Sequence, residues 1–359
     1  MEITAIISKF NVDGELADSK QLTCGNINRT YRVTMSDGKR YILQNINVNV
    51  FRDPDALMNN IFGVCDFLKK KLPPTADPQR ETMTFIKTRD GGHYFLDDDG
   101  KYWRMYIYID AVSYQSIEKP GLFYQAAKAF GRFQRLLSDY PAETLAETIP
   151  DFHNTVKRFS DFKAAVDGCK LPDRLEEAKA DIDDLLSREH IAHIAVDRLA
   201  DGTLPLRVTH NDTKLNNILM DEETDEGICV IDLDTVMPGS VLYDFGDAIR
   251  FGASTAPEDE PDISKISLDL SLFEEFVRGF IEGTAGSLTK AELDLLPEGA
   301  LLLTYEQAMR FLGDYLNGDT YFKIDYDKHN LVRGRAQIAL VKDIERKLGK
   351  MHEIVNDIC

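Results

Sequence analysis

The chain has 359 residues, which exceeds what one hydrophobic core usually organises, so we expect two or three packed units. Its 61 acidic and 42 basic residues leave a formal net charge of -19, which repels phosphate backbones and anionic headgroups and excludes nucleic acid and membrane surfaces as expected partners. Five scattered cysteines, none in a C-x-x-C pair, indicate neither a disulfide framework nor a zinc site and favour a reducing cytoplasm.

The N-terminus, MEITAIISKF, lacks the basic start and sustained apolar stretch of an export signal, and no later apolar run approaches the length of a membrane span. We therefore expect a cytoplasmic protein. The surplus of acidic residues serves solubility or, alternatively, attracts cations such as Mg²⁺ or an amine substrate.

After a short opening helix, residues 20–50 are typical of strands joined by turns: QLTCGNINRTYRVTM, the turn SDG at 36–38, and the alternating run RYILQNINV. Pro54 then opens PDALMNNIFGVCDFLKKK, whose apolar residues recur at helical spacing. The segments TMTFIKT and HYFLDDDGKYWRMYIYID are again typical of strands and complete an antiparallel sheet near Asp110. A small β lobe with one packed helix is predicted.

From Pro120 the pattern changes to helices, beginning with a helix that ends before Pro141. Further helical stretches are predicted at about 174–200 and 266–317, and the tail VRGRAQIALVKDIERKLGKMHEIV has an apolar face at helical spacing. No internal repeat or long linker is visible.

The change of pattern predicts the domain boundaries. We expect an N-terminal nucleotide-binding lobe over residues 1–110, a hinge at about 106–112, and a C-terminal catalytic and substrate-binding lobe over 113–359. The fold class is therefore α+β, with a small antiparallel β lobe and a larger, mainly helical lobe.

The most informative segment is VTHNDTKLNNILMDEETDEGICVIDLDT, residues 208–235, which places Asp212 and Asn217 before two short strands and Asp232 after them. If residues 222–227 form the turn, the two strands pair antiparallel with Asn217 opposite Asp232. Directly opposed residues have Cβ atoms about 4.5–5.5 Å apart, so one amide oxygen and one carboxylate can hold a small cation.

Mg²⁺ suits such a pair because it prefers hard oxygen ligands and is usually completed by waters and substrate phosphates. That preference indicates a nucleotide, and Asp212 in the preceding loop is placed to accept a hydroxyl proton in phosphoryl transfer. The alternative is that His210 is an ordinary loop histidine and that the aspartates are turn and cap residues.

The segments HNDTKLNN, VIDLDT and LYDFGDAIRFG resemble the catalytic and metal-binding motifs of the aminoglycoside phosphotransferase and choline kinase superfamily. The resemblance implies a two-lobed, protein-kinase-like fold, with Asp212 as the catalytic aspartate and Asn217 and Asp232 as metal ligands. It also implies structural support from His210 and Asp244, although Asp244 is equally explained as a helix N-cap.

A closer resemblance, to N-acetylhexosamine 1-kinases, covers most of the chain through GNINRTY, RYILQNIN, YWRMY, TIPDFHNT, DTVMPGSVLYDFGDAIRFG, MRFLGDYLNGDTYF and HNLVRGRAQ. It implies that ATP phosphorylates the anomeric hydroxyl of N-acetylglucosamine or N-acetylgalactosamine. By the same resemblance, Arg310 and Tyr321 bind the sugar; the alternative is a core helix with Arg310 in a structural ion pair.

The nucleotide is expected to contact Gly25, Asn26, Asn28, Thr30 and Gln44, because backbone N–H groups around a glycine can approach phosphates closely. An ordinary hairpin turn is the alternative. Protein kinases carry a lysine near the position of Gln44, paired to a glutamate on the next helix, and that helix has no glutamate here. Another cation or the metal must therefore supply the charge.

Two rival functions remain open at the level of sequence. A kinase of choline or an aminoglycoside-like amino alcohol would need carboxylates or an aromatic cage for the cation, and APEDEPD at 256–262 is the acidic run available. A catalytically silent nucleotide-binding protein would share the same fold. Trp103 is expected to be buried in the last strand of the small lobe, and the oligomeric state is not predicted.

Overall fold

A computed structural model describes residues 1–22 and 27–359 of the chain. Its N-terminal part consists of an antiparallel sheet and three helices. These elements are α1 (Ile3–Ile7), β1 (Leu16–Leu22), β2 (Arg29–Met35), β3 (Arg40–Ile46), α2 (Pro54–Lys71), α3 (Pro78–Glu81), β4 (Phe85–Ile86), β5 (Phe95–Leu96) and β6 (Tyr102–Ile107). The strand order is β1-β2-β3-β6-β4, with β5 also paired to β6.

The register of β2, β3 and β6 brings three polar side chains together. Thr30 lies opposite Gln44, and Gln44 lies opposite Arg104 on the next strand. Because successive residues of a strand point to opposite faces, Trp103 points away from this polar group. Trp103 is buried and its indole N–H donates to Asp97 at 2.8 Å, which confirms the predicted burial.

Helix α2 packs on the sheet and also reaches the C-terminal part of the chain. Pro54 opens the helix as predicted, and the carboxylate of Asp53 caps it by accepting the Ala56 N–H at 3.0 Å. The buried side chain of Asn60 donates to the carbonyls of Ala146 at 2.8 Å and Val236 at 3.0 Å. These two bonds connect the small lobe to the segment between α4 (Leu122–Leu136) and α5 (Thr155–Asp167) and to the segment that follows Asp234.

The C-terminal part is mainly helical, with two two-stranded antiparallel sheets among the helices. Its elements are α4 (Leu122–Leu136), α5 (Thr155–Asp167), α6 (Pro172–Glu177), α7 (Lys179–Leu186), α8 (Glu189–Ala200), β7 (Arg207–Thr209), β8 (Ile218–Met220), β9 (Gly227–Val230), β10 (Met237–Gly239), α9 (Val241–Gly252), α10 (Leu270–Thr284), α11 (Lys290–Asp294), α12 (Leu296–Leu316) and α13 (His329–Ile358). Strand β7 pairs with β10, and β8 pairs with β9.

Helix α12 runs through the core of the helical lobe and is buried along most of its length. It lies against α9 at a contact that only glycine permits, since a Cβ on Gly246 would lie 2.1 Å from the carbonyl oxygen of Gly299. The close contact sets the distance between α9 and α12, which both carry side chains of the candidate site.

The structure confirms the predicted fold class of a small antiparallel sheet followed by a larger helical lobe. Each long helical stretch expected at 174–200 and 266–317 is divided into three helices, and α10 ends where Ala285 adopts a positive φ of 46°. The division of the chain at about residue 110 remains a prediction. Among the described residues, no helix combines the length and apolar character needed to cross a bilayer.

Candidate functional site

Asp244 holds the loop that carries the predicted catalytic aspartate. Its buried carboxylate accepts the backbone N–H of His210 at 3.0 Å and of Asn211 at 2.7 Å, together with the Gln134 amide at 2.6 Å. Burial raises the pKa of the Asp244 carboxyl, and these donors oppose that shift. The N-cap of α9 is Ser240, so Asp244 serves the loop and not the helix end.

The side chain of His210 links this loop to the strand before Asp232. Its Nε2 lies 2.8 Å from the carbonyl oxygen of Ile231, and its Nδ1 accepts the N–H of Asp212 at 3.3 Å. Since Nδ1 accepts, Nε2 carries the proton and donates to Ile231. The ring is fully buried and packs edge-on against Phe130, so His210 holds the Asp212 loop at a fixed distance from Ile231, the residue that follows β9.

Each carboxylate oxygen of Asp212 contacts a different side chain, Oδ2 that of Asn217 and Oδ1 that of Lys214. The Asn217 amide donates to Oδ2 at 3.0 Å and to the Asp212 backbone carbonyl at 2.8 Å, while Lys214 Nζ lies 2.7 Å from Oδ1. Burial opposes the charge on Lys214, but Asp212 and Asp247 outweigh it and raise the pKa of Lys214. The Asp212 side chain remains 29% exposed, so a substrate hydroxyl can reach it.

The β8–β9 hairpin differs by one residue from the predicted register. Ile218 pairs with Val230, and the N–H of Ile231 donates to the Asn217 carbonyl at 2.9 Å, so Asn217 lies opposite Ile231 and not opposite Asp232. The prediction was wrong because the turn closes two residues earlier than expected, with the Asp221 N–H donating to the Glu226 carbonyl, and a one-residue bulge next to Leu219 offsets only half of that change.

Asp232 itself adopts the left-handed backbone conformation, with φ 60° and ψ 57°, directly after the β8–β9 hairpin. Asp232 is exposed by its surface area, yet enough protein surrounds its carboxylate to desolvate it, and this desolvation, with the nearby Asp234 and Asp212, raises its pKa to about 6. Arg104 opposes this shift. A site with a raised carboxylate pKa and excess negative charge attracts a cation.

The donor set fits Mg²⁺. Asn217 uses its amide nitrogen on Asp212, which leaves its side-chain oxygen for a cation next to Asp232. Within 1–22 and 27–359, no group of three or more His, Cys, Asp or Glu side chains is arranged to hold a metal. Mg²⁺ bound by two protein oxygens is completed by waters and phosphates, which suits this pair.

The predicted nucleotide contacts are only partly described, since Gly25 and Asn26 lie outside the described residues. Asn28 donates to Asp234 at 2.6 Å, and Gln44 donates to Thr30 at 3.0 Å. These side chains meet at the end of the sheet that faces the segment after Asp232. The structure thus brings Asn28, Thr30 and Gln44 into one hydrogen-bonded group.

The two residues predicted to bind the sugar, Arg310 and Tyr321, lie close to each other. The guanidinium carbon of Arg310 lies 5.8 Å from the ring centroid of Phe152, 5.9 Å from that of Tyr321 and 5.4 Å from that of Phe322. Its nitrogen is 3.8 Å from Glu306, a loose ion pair. Tyr321 is 68% exposed and offers its ring to solvent.

A buried pair connects Arg310 to the catalytic loop. His153 Nδ1 lies 3.1 Å from both carboxylate oxygens of Glu306, and its Nε2 lies 3.4 Å from the Asn211 carbonyl, directly before the predicted catalytic aspartate. Burial opposes ionisation of Glu306, but His153 and Arg310 outweigh it and lower the pKa of Glu306. Burial and the nearby Arg310 lower the pKa of Arg158.

Sequence reasoning missed five residues of this site: Lys214, Arg104, Asp234, His153 and Glu306. Three had a local signal, namely a lysine inside HNDTKLNN, an arginine inside an apolar strand run, and a second carboxylate in VIDLD. The other two had none, because their partnership spans 153 residues of chain.

Comparison with known proteins gives the family and the fold. A sequence model of the phosphotransferase enzyme family (APH) matches residues 18–277, well over half of the chain. Among solved structures, an aminoglycoside phosphotransferase from Alicyclobacillus acidocaldarius is similar at a TM-score of 0.64 and 13% identity, over 99% of this chain and 97% of that chain.

A choline kinase from Cryptosporidium parvum has a TM-score of 0.58 at 13% identity, over 99% of this chain and 98% of that chain. An amicoumacin kinase solved in complex with AMP-PNP, Ca²⁺ and its substrate has a TM-score of 0.56 at 14% identity, over 89% and 87% of the two chains. At these identities the likeness shows the fold, and it confirms the predicted kinase-like architecture.

Proposed function

The chain belongs to the phosphotransferase enzyme family and is a small-molecule kinase, and we propose that it transfers the γ-phosphate of ATP to the anomeric hydroxyl of an N-acetylhexosamine. The product would be the sugar 1-phosphate. The observation that supports phosphoryl transfer most directly is the fixed position of Asp212 between Asn217 and Lys214.

Asp212 is the proposed catalytic residue. Its ion pair with Lys214 and its hydrogen bond from Asn217 hold the carboxylate in one orientation, so it can accept a hydrogen bond from the acceptor hydroxyl and align that oxygen for attack. Lys214 adds positive charge where the transferred phosphoryl group would lie. Asp244, which accepts the His210 backbone N–H, and the His210 side chain, which contacts the Ile231 carbonyl, hold the loop in this position.

Asn217 and Asp232 are the proposed ligands of Mg²⁺. The bound ion would neutralise charge on the phosphates of ATP. The amicoumacin kinase of similar fold was solved with AMP-PNP and Ca²⁺, which supports the binding of a nucleotide together with a divalent cation. Gly25, Asn26, Asn28, Thr30 and Gln44 are the proposed contacts of the nucleotide phosphates.

The charge around Arg310 supports a neutral sugar over an amine as acceptor. Arg310 and Arg158 lie close to each other, whereas the nearby carboxylate of Glu306 is already occupied by His153. A cationic alcohol bound beside Arg310 and Arg158 would meet their positive charge. Arg310 can donate paired hydrogen bonds to hydroxyl or acetamido oxygens, and the exposed ring of Tyr321 offers an apolar face to the sugar.

The test is a coupled ADP-release screen with Mg²⁺ and ATP against N-acetylglucosamine, N-acetylgalactosamine, glucose, choline and an aminoglycoside. We expect turnover with an N-acetylhexosamine and an acid-labile phosphate at the anomeric carbon. Turnover only with an amine would contradict the sugar assignment and keep the kinase.

Asp212→Asn is the matched variant for the screen. It keeps the shape of the side chain, so we expect nucleotide binding to persist while kcat falls by about 10²–10⁴-fold, the usual contribution of such a group. A variant with near-wild-type turnover would remove Asp212 from its proposed role.

A further inference from the structure

Arg104 is a buried cation at the centre of the N-terminal sheet, with only 2% of its side chain exposed. Both terminal nitrogens bind Asp234, with Nη2 at 2.9 Å from Oδ2. The same guanidinium donates to Gln44 Oε1 from Nε at 3.0 Å and from Nη2 at 2.7 Å. Arg104 and Asp234 are 130 residues apart, so the pair joins the sheet to the segment after Asp232.

These contacts determine which way Gln44 points. Its side-chain oxygen accepts two N–H groups of Arg104, so its amide nitrogen faces Thr30, to which it donates at 3.0 Å. An amide nitrogen carries two hydrogens, and Thr30 takes one of them. Among the described residues no second acceptor meets this half-buried side chain, so one N–H is left for an incoming oxygen such as that of a phosphate.

Asp234 receives donors from the loop side as well. Asn28 Nδ2 donates to Asp234 Oδ2 at 2.6 Å, and Asn28 Oδ1 accepts the N–H of Asn47 at 3.0 Å. Asn28 belongs to the predicted phosphate-covering loop around Gly25, in which residues 25 and 26 lie outside the described part of the chain. Asp234 therefore connects the end of that loop to the segment that carries Asp232.

Arg104 is a candidate for the cation that replaces the lysine missing at position 44. Protein kinases place a lysine on the strand that carries Gln44 here, and that lysine provides charge at the phosphates. In this chain the cation lies on the neighbouring strand, directly across the ladder from Gln44. It is also within electrostatic range of Asp232.

We infer that Arg104 is a positioning residue for the nucleotide phosphates. Held between Asp234 and Gln44, it turns the Gln44 amide outward, fixes Asn28 through Asp234, and supplies the positive charge that a glutamine at position 44 does not. The inference rests on the proposed use of ATP. A buried ion pair that only joins two segments would stabilise the protein without affecting phosphates in particular.

The experiment separates these two roles by measuring calorimetric affinity for adenosine and for Mg²⁺-AMP-PNP. Arg104→Met is compared with wild type, and Arg104→Met/Asp234→Asn is made as well because it avoids an unpaired buried carboxylate. We expect the dissociation constant for Mg²⁺-AMP-PNP to rise about 10–100-fold in both variants. The constant for adenosine, which has no phosphate, should stay within about twofold.

The matched control is Arg188→Met/Glu345→Gln. This pair is also bidentate, with contacts of 2.8 and 3.0 Å, and joins α13 to the turn before α8. It should leave both affinities unchanged.

Equal affinity of wild type and the Arg104 variants for Mg²⁺-AMP-PNP would overturn the inference, as would equal losses for adenosine and Mg²⁺-AMP-PNP. Failure of the wild-type protein itself to bind Mg²⁺-AMP-PNP would overturn the proposed donor and, with it, this inference.

Discussion

The side-chain amide of Asn217 donates to Asp212 twice, to the backbone carbonyl at 2.8 Å and to a carboxylate oxygen at 3.0 Å. One residue therefore orients the proposed catalytic carboxylate and, through its remaining oxygen, is placed to bind the metal. The two functions are coupled by a single side chain, which makes Asn217 the most direct place to test the site.

Asn217→Ala should lower kcat and raise the Mg²⁺ concentration needed for half-maximal activity about 10-fold or more, because it removes a ligand and frees Asp212. The measurement is a Mg²⁺ titration of initial rates at saturating ATP. Asn216→Ala is the matched control, since the Asn216 amide donates to Gln115 at 3.3 Å, away from Asp212. Equal Mg²⁺ dependence in the two variants would contradict the assignment.

Asp244→Asn should destabilise the protein by about 2 kcal/mol and reduce kcat, because an amide cannot accept from three donors as the carboxylate does. Chemical denaturation and steady-state rates measure the two effects. Asp269→Asn is the control, since Asp269 also accepts two backbone N–H groups but as the N-cap of α10, where asparagine serves equally well. A fully active and stable Asp244→Asn protein would show that the brace is dispensable.

Arg310→Met should raise the KM for the N-acetylhexosamine about 10–100-fold, the usual loss for hydrogen bonds from a charged group, with little change in the KM for ATP. Steady-state kinetics with each substrate varied in turn give both constants. Arg278→Met removes the same charge from an exposed pair with Glu274 on α10 and should change neither. If Arg310 has only a structural role, the variant would lose stability while its KM for the sugar stays at the wild-type value.

Glu306→Gln should destabilise the protein by about 2 kcal/mol at pH 7, because the buried carboxylate binds His153 and lies near Arg310. Its pKa is lowered in the folded protein, so this stability is complete above the unfolded value of about 4.3 and is lost as the pH falls through the lower folded value. Unfolding free energies of wild type and variant should therefore converge below about pH 4.

Glu298→Gln is the control for Glu306, because Glu298 lies on the same helix and also pairs with a histidine, His352, at 2.9 Å. Only Glu306→Gln should raise the KM for the sugar, since only Glu306 lies beside Arg310. A stability difference that stays constant from pH 7 to pH 3 would contradict the role given to the Glu306 charge.

Much of the site was visible in short stretches of sequence. The motif HNDTKLNN holds Asp212, Lys214 and Asn217 within a few residues, and the following hairpin brings Asp232 near them whatever the rest of the fold. The expectation that Trp103 is buried in the last strand of the small lobe is likewise confirmed. Such features depend on the backbone conformation of a few consecutive residues, so they can be predicted from the local sequence pattern.

The register of the β8–β9 hairpin was not predictable in the same way. A turn two residues shorter than predicted, offset in part by a one-residue bulge, places Asn217 opposite Ile231 and not opposite Asp232, and no residue in the turn indicates this change. The Asn217 side-chain oxygen and the Asp232 carboxylate can still bind one cation, because the left-handed backbone of Asp232 gives its side chain a direction different from that of an extended strand residue. Local compensation of this kind is decided by the packing around the hairpin.

By itself the sequence determined that a small β lobe precedes a larger helical lobe, which motifs carry the proposed catalytic and metal-binding residues, and that position 44 is a glutamine and not a lysine. Only the tertiary structure decided that Arg104, Asp234 and Asn28 form one network, and that His153 and Glu306 connect Arg310 to the catalytic loop. These partners lie between 130 and 206 residues apart, so their meeting depends on how the sheet, α9 and α12 pack, and pattern within any one segment carries no record of it.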